Sequence, residues 1–398
     1  MSIFDLSADS VFFPSNSQSA QMENLSQRAL NSGLESYVGK NYDEAITHLR
    51  RAVALAPTSS IAINAYDYMA RAYMNKGDSR TSIEIYKQSI RANPNVDSTH
   101  TSLANIYYSD GRFDEAKAEY EQAVKVNPSA ANRYSLGQGY LANEQFAEAE
   151  QQFKLVNDME PLKPNGSFGL GQTYAKQGRV SDALSSFQRA IDLQPDYWEA
   201  HAEMGYTLAD DGDTSKAQEI ADMLNAKGSS LAGTLSQYVY EKSAPKMTAA
   251  LSSALFEPFL STLSSLTTVS TLHTDLGTAS AEQSLSIVFQ FDKPMDRQSV
   301  ENNLNWKIGR DYGTGSGDGY NFGYTPPSTE ITLPSYPTAV FYDTEHQTAT
   351  LLFKVTQNDT ADGTIDPSHI KFSFNGKDAT GLSMDSSAND YTGFSGFA

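Results

Sequence analysis

The sequence predicts a multidomain chain: an all-α solenoid of stacked helix-turn-helix units, then an all-β sandwich. Three observations lead there. Small, aromatic and proline landmarks return about every 34 residues across 23–228. Near residue 284 the spacing of apolar residues changes from three or four to strict alternation. Between these parts, residues 229–280 are poor in charge and rich in Ser, Thr, Leu and Ala. The 398 residues thus divide into a flexible leader (1–22), a solenoid of about six repeats (23–228), capping and linking helices (229–280) and the sandwich (281–398).

The leader "MSIFDLSADSVFFPSNSQSAQMENL" has no basic start and no long apolar run, so a cleaved secretory signal is not expected. Its "SIF" and "VFF" are short apolar anchors in a Ser/Asn/Gln-rich stretch. Charge excludes one partner class. The net charge is -19, and neither part hides a basic module: residues 23–228 carry 20 basic and 28 acidic side chains, residues 281–398 carry 7 and 15. Nucleic-acid backbone binding needs the opposite balance. The absence of cysteine removes disulfides, thiol catalysis and cysteine-held metals.

The repeat explains itself landmark by landmark. Leu136, Gly137, Tyr140, Phe146, Ala149, Phe153 and Pro161 form one copy, and Leu170, Gly171, Tyr174, Gly178, Ala183, Phe187, Ala190 and Pro195 the next. Small residues such as Gly137 and Ala149 let the two helices of a hairpin approach, while Tyr140 and Phe153 fill the wedge between hairpins. Gly111 and Gly178 suit the tight turn between helices. Pro57, Pro94, Pro128, Pro161 and Pro195 end the second helices at intervals of 37, 34, 33 and 34 residues. A weaker sixth copy keeps Met204, Gly205, Leu208, Gly212 and Ala217 but has no closing proline. The series resembles the tetratricopeptide repeat, a 34-residue helix-turn-helix unit. That resemblance implies a superhelix whose first helices line a hollow.

On those first helices the residues expected to meet a partner are Tyr37, Tyr68, Arg71, Thr101, Asn105, Tyr108, Tyr134, Gln138, Phe168, Gln172 and Tyr206, with Leu34, Asp67, Met74, Leu141 and Glu203 among them. Rings offer flat area at low entropy cost, and amides pair with peptide N–H and C=O groups. The set suits an extended peptide or protein segment. Some relatives of the repeat grip a C-terminal carboxylate with lysines and arginines. Here only Asn105 and Arg71 match that idea, so a free chain terminus is not expected.

Within 229–280, Leu251, Leu255, Phe259, Leu263 and Leu266 recur at helical spacing, with Pro258 dividing the run. Serines, threonines and Glu257 disfavour a membrane span. Further on, "SLSIVFQF", "LNWKI", "TATLLFKV" and "HIKFSF" alternate as half-buried strands. "LSIVFQFDKPMDRQSV" and "IKFSFNGKDATGLSMD" resemble bacterial Ig-like domains of surface-layer type over 281–385, which implies a spacer or adhesive module. An insert over 309–329 carries Tyr312, Tyr320, Phe322 and Tyr324 among glycines. Asn358, Asp362 and Asp366 echo half of a calcium loop, but Thr360 and His369 stand where ligands are needed.

No nucleophile elbow, phosphate loop, dinucleotide fingerprint or H-E-x-x-H run occurs. The leading expectation is therefore a non-enzymatic scaffold, without cofactor, that binds a polypeptide in the hollow. A structural subunit of an extracellular or appendage-associated assembly, self-association included, is the alternative. A carbohydrate-active enzyme or glycan-binding protein ranks below it. Both a cytoplasmic location and a cell-surface one reached without a signal peptide stay open.

Overall fold

The computed structural model describes residues 15–313, 318–394 and 396–397. The chain divides into two compact units, one up to Lys242 and one from Ser243 onward.

The first unit is built of helical hairpins: α1 (Ser15–Val38) with α2 (Tyr42–Leu55), α3 (Ser60–Asn75) with α4 (Ser79–Ala92), α5 (Asp97–Ser109) with α6 (Phe113–Val126), α7 (Ala130–Ala142) with α8 (Phe146–Met159), α9 (Asn165–Lys176) with α10 (Val180–Leu193), and α11 (Trp198–Asp210) with α12 (Thr214–Ala226). A single helix, α13 (Leu231–Lys242), packs on both α11 and α12. Its Leu235, which a Cβ on Gly205 would approach to 2.6 Å, takes the place that Phe153 and Phe187 hold against Gly137 and Gly171, where α12 has only Ala221.

One turn recurs in every hairpin. Lys40, Gly77, Gly111, Glu144, Gly178 and Gly212 all have positive φ, between 57° and 91°. Each sends its N–H to a carbonyl three residues back, and the next N–H reaches five back, as Gly77 to Met74 and Asp78 to Tyr73. That pair of bonds satisfies the last carbonyls of the first helix. The helix ends there because a left-handed residue cannot continue it.

The leader expected through residue 22 is helical from Ser15, since α1 docks on α2 through Ala29, Leu30 and a bond from Ser26 Oγ to the Ala52 carbonyl (2.8 Å). The "SIF" and "VFF" anchors lie outside the described residues.

The second unit holds two four-stranded antiparallel sheets. In one, β1 (Met247–Leu251), β3 (Glu282–Phe291), β6 (Thr348–Thr356) and β5 (Ala339–Asp343) lie in that order. In the other the order is β10 (Gly396–Phe397), β9 (Asp390–Thr392), β8 (Ile370–Phe374) and β4 (Trp306–Arg310). A two-residue pair, β2 (Thr267–Thr268) with β7 (Thr364–Ile365), stands apart. The alternating residues face inward: Leu285, Ile287, Phe289, Phe291, Trp306, Ile308, Leu351, Phe353, Phe372 and Phe374 are buried in one core.

Two expectations fail here. The helix expected from the spacing of Leu251 to Leu266 does not form. Leu255 is 86% exposed, Leu251 and Leu266 are exposed, and of the run Phe259 is buried while Leu263 packs half-buried against the core. The start of that run pairs with β3 as a strand instead. Its Ser/Thr-rich backbone found partners in an open sheet edge that periodicity could not foresee. Nor is the β-region a closed Ig-like sandwich. Its sheets stay open, with β1 and β5 at the rims of one and β10 and β4 at the rims of the other, and neither curls to close on its neighbour. Alternation identifies a half-buried strand but says nothing of which strand lies beside it.

Candidate functional site

In the first unit α5, α7, α9, α11 and α13 neighbour one another in succession, so their free faces line one groove. Its best-formed part, about 420 Å³, lies between Tyr108, Gln138, Gln172, Glu203, Tyr206 and Tyr238. A shallower recess of about 290 Å³ continues it past Asn105, Tyr134 and Ser135.

A ladder of amides runs along the floor. Gln138 Nε2 donates to Tyr134 OH (3.1 Å) and to Gln172 Oε1 (2.9 Å), and Gln172 Nε2 donates to Glu203 Oε1 (3.3 Å). The repeat places these side chains in register: Gln172 follows Gln138 by one full period of 34 residues, and Glu203 follows 31 later. The rungs therefore come from three successive hairpins.

Electrostatics differ along the groove. At Asp210 burial opposes ionisation, but bonds from Lys242 Nζ and Tyr238 OH, both 2.6 Å, prevail and lower its pKa. Glu203 has no such cation in bonding contact. Burial pushes its pKa above the ordinary carboxylate value, with the Gln172 bond a smaller opposing influence. Burial also raises Tyr134.

The expected partner-facing residues fall into three groups. Asn105, Tyr108, Tyr134, Gln138, Gln172 and Tyr206 line the continuous groove. Tyr37, Tyr68 and Arg71 lie nearer the start of the array. Tyr37 and Tyr68 meet edge-on at 5.4 Å, and Arg71 is committed to Asp67 at 2.9 Å. Thr101 Oγ1 bonds the Asp97 carbonyl one turn back in its own helix and reaches Asn132 Oδ1 in the next hairpin (3.3 Å), which ties the two hairpins together. Phe168 is a correction: it is 7% exposed and packs on Phe187 and Tyr197. Gly171, one turn on, meets the same Phe187 ring, so Phe168 shares the inward face of its helix. Tyr238 went unforeseen in α13, though its 32-residue distance from Tyr206 continues the period.

The calcium candidates do not converge. Asp362 closes a local turn with Asn358, whose Nδ2 is 2.8 Å away, and Asp366 is wholly buried against His369 and Ser368. Among the described residues no group of three or more His, Asp or Glu is placed to hold a metal ion. Ser368, His369 and Asp366 touch, but not as a catalytic triad. Both partners sit at the same ring nitrogen, Nδ1, and Ser368 lies 2.8 Å from the carboxylate. His369 Nε2 is buried without a partner, so no hydroxyl is positioned to be activated.

Family profiles match the first unit. Profiles named tetratricopeptide repeat match residues 63–96 and 101–164, and a TPR repeat profile matches 163–212. Residues 63–212 of the first unit thus carry tetratricopeptide repeats. Small glutamine-rich tetratricopeptide repeat-containing protein 2 of Mycosarcoma maydis is 26% identical over 146 residues, 35% of this chain and 40% of that one. Photosystem I assembly protein Ycf3 of Synechococcus sp. (strain CC9605) is 29% identical over 110 residues, 24% of this chain and 64% of that one. The chain thus spans less than two thirds of both relatives. Among solved structures, a tetratricopeptide repeat protein from Parabacteroides merdae ATCC 43184 is 15% identical with a TM-score of 0.48, covering 55% of this chain and 89% of that one. PilW, a type IV pilus biogenesis factor, is 18% identical with a TM-score of 0.44, covering 53% and 97%. No helix among the described residues is long and apolar enough to cross a membrane.

Proposed function

We propose that the repeat array is a non-enzymatic scaffold that holds an extended polypeptide segment between Asn105 and Tyr238. The amide ladder carries this reading. Gln138 and Gln172 spend part of their bonding capacity on each other, which fixes their orientation and leaves amide groups to meet a peptide backbone. Tyr108 and Tyr206 supply partly exposed rings on either side, and Glu203, bonded to Gln172 and with Lys176 near but not in bonding contact, adds a carboxylate that favours a segment bearing a cationic side chain. Holding the contacts in place beforehand reduces the ordering cost of binding.

A second reading, a subunit of a larger protein assembly, draws support from a relative whose name describes an assembly protein. The two readings agree on a polypeptide partner.

A photo-crosslinking residue at position 142, on the groove wall, tests the proposal in the intact chain in its native cell. The expected product is a polypeptide joined at that site, lost when Tyr108→Ala and Gln172→Ala are added. Crosslinks confined to the chain itself, or unaffected by the two substitutions, would overturn it. A partner that proves to be another copy of the chain supports the assembly reading.

A further inference from the structure

The outward face of the β4–β8–β9 sheet forms a second groove, within the second unit and of different chemistry. Trp306 and Ile308 on β4, with Phe372 and Phe374 on β8, point into the core. The alternate residues point away, and the register sets Lys307 beside Ser373, Ser373 beside Asp390, and Gly309 beside Lys371. At Gly309 a Cβ would meet nothing within 4 Å, so the floor is open there. The groove measures about 1010 Å³.

Its walls are held from below. Asp311 N donates to the His369 carbonyl (2.9 Å), and Tyr320 N to the Asp311 carbonyl (2.6 Å). Tyr320 itself is buried, bonded to Glu330 and accepting from Asp366 N. A Cβ on Gly313 would stand 2.7 Å from the Asp318 carbonyl carbon, so the neck of the insert closes tightly. On another side Phe394 stacks on the buried His369 ring with centroids 4.6 Å apart, yet remains 55% exposed. Tyr312, on the neck, is 78% exposed. Two rings are thus displayed at the rim of a polar trough.

The lining selects against charged ligands. Lys307, Arg310 and Lys371 oppose Asp311, Asp318 and Asp390, three charges against three. Lys371 is already paired with Asp390, and Arg310 with Glu330 at 3.4 Å. An anionic polymer or a basic peptide would gain from half of these groups and be repelled by the rest. Neighbouring hydroxyls that both donate and accept suit all of them. Carboxylates accept, ammonium groups donate, and the Asn375–Asn389 amide pair (2.8 Å) and Ser373 do both. Aromatic rims provide flat apolar area for the C–H face of a sugar ring. The groove lies on the sheet's face, and on the outer side of the rim strand β4 Ile308 N already donates to the Ser335 carbonyl (2.9 Å), which leaves little edge for a peptide backbone.

The geometry points to an uncharged oligosaccharide as the ligand of this groove, bound through hydroxyl contacts to Ser373, Asn375, Asn389 and Asp390 and through rings at Tyr312 and Phe394. The test uses the full chain, fluorescently labelled, on an array of neutral oligosaccharides beside sulfated and sialylated counterparts. Binding to at least one neutral oligosaccharide is expected. Tyr312→Ala and Asn389→Ala should each weaken it at least tenfold, with the emission of the buried Trp306, read in a Trp198→Phe background, unchanged to show that the unit is folded. Tyr108→Ala, in the repeat array, should leave it intact. Failure to retain any neutral oligosaccharide, retention of charged glycans alone, or binding indifferent to Tyr312→Ala and Asn389→Ala would overturn the assignment.

Discussion

Phe153 shows why single residues carry the repeat. A Cβ on Gly137 would come within 2.6 Å of its ring, and one on Gly169 would meet it closely from the next hairpin. The wedge residue is therefore gripped by two glycines 32 residues apart, a close approach no larger residue permits. Glu203 illustrates the opposite case, a residue kept at a cost. Because burial raises its folded-state pKa above the unfolded value, the folded form holds the proton longer. Stability is then fullest at low pH, falls as pH rises from the ordinary carboxylate pKa toward the raised one, and stays lower above it. Glu203→Gln removes the titration while keeping an oxygen for Gln172. We expect it to raise the melting temperature at pH 8. The difference should vanish near pH 4, which thermal scans across pH would show.

At the scale of elements, the hairpin turn is the unit that repeats most faithfully. Four of the six turns use glycine at the left-handed position, whereas Lys40 and Glu144 adopt it with side chains, at φ 61° and 57°. The left-handed conformation costs an ordinary residue about 1–2 kcal/mol, part of which glycine would return as lost chain entropy. Glu144→Gly should therefore stabilise the array by about 0.5–1 kcal/mol, measured by urea unfolding with an unchanged slope. The landmark pattern exposed these turns because backbone conformation there leaves a residue preference. It did not expose β1, whose partner lies some forty residues away in the chain. An apolar residue every three or four positions reads as a helix face only if one surface exists to receive it, and Leu255 points into solvent.

The whole molecule contains separate cores. Those of the first unit follow one another along the array, and that of the second gathers around Phe289, Trp306 and Phe372. The two tryptophans fall one to each unit, Trp198 in the first and Trp306 in the second. Denaturant unfolding followed by fluorescence should give different midpoints for Trp198→Phe, which reports the second unit, and Trp306→Phe, which reports the first. Coincident curves would mean a single cooperative body. From the sequence alone came the repeat and its period, the inward faces of the long strands, the acidic balance and part of the groove's lining, because each is written in local spacing. The tertiary structure alone decided that Phe168 faces the core, that residues 247–251 are a strand, that the sheets stay open and that the insert's neck walls a polar trough. Those outcomes depend on which surfaces meet across long separations in the chain, and no local period encodes that.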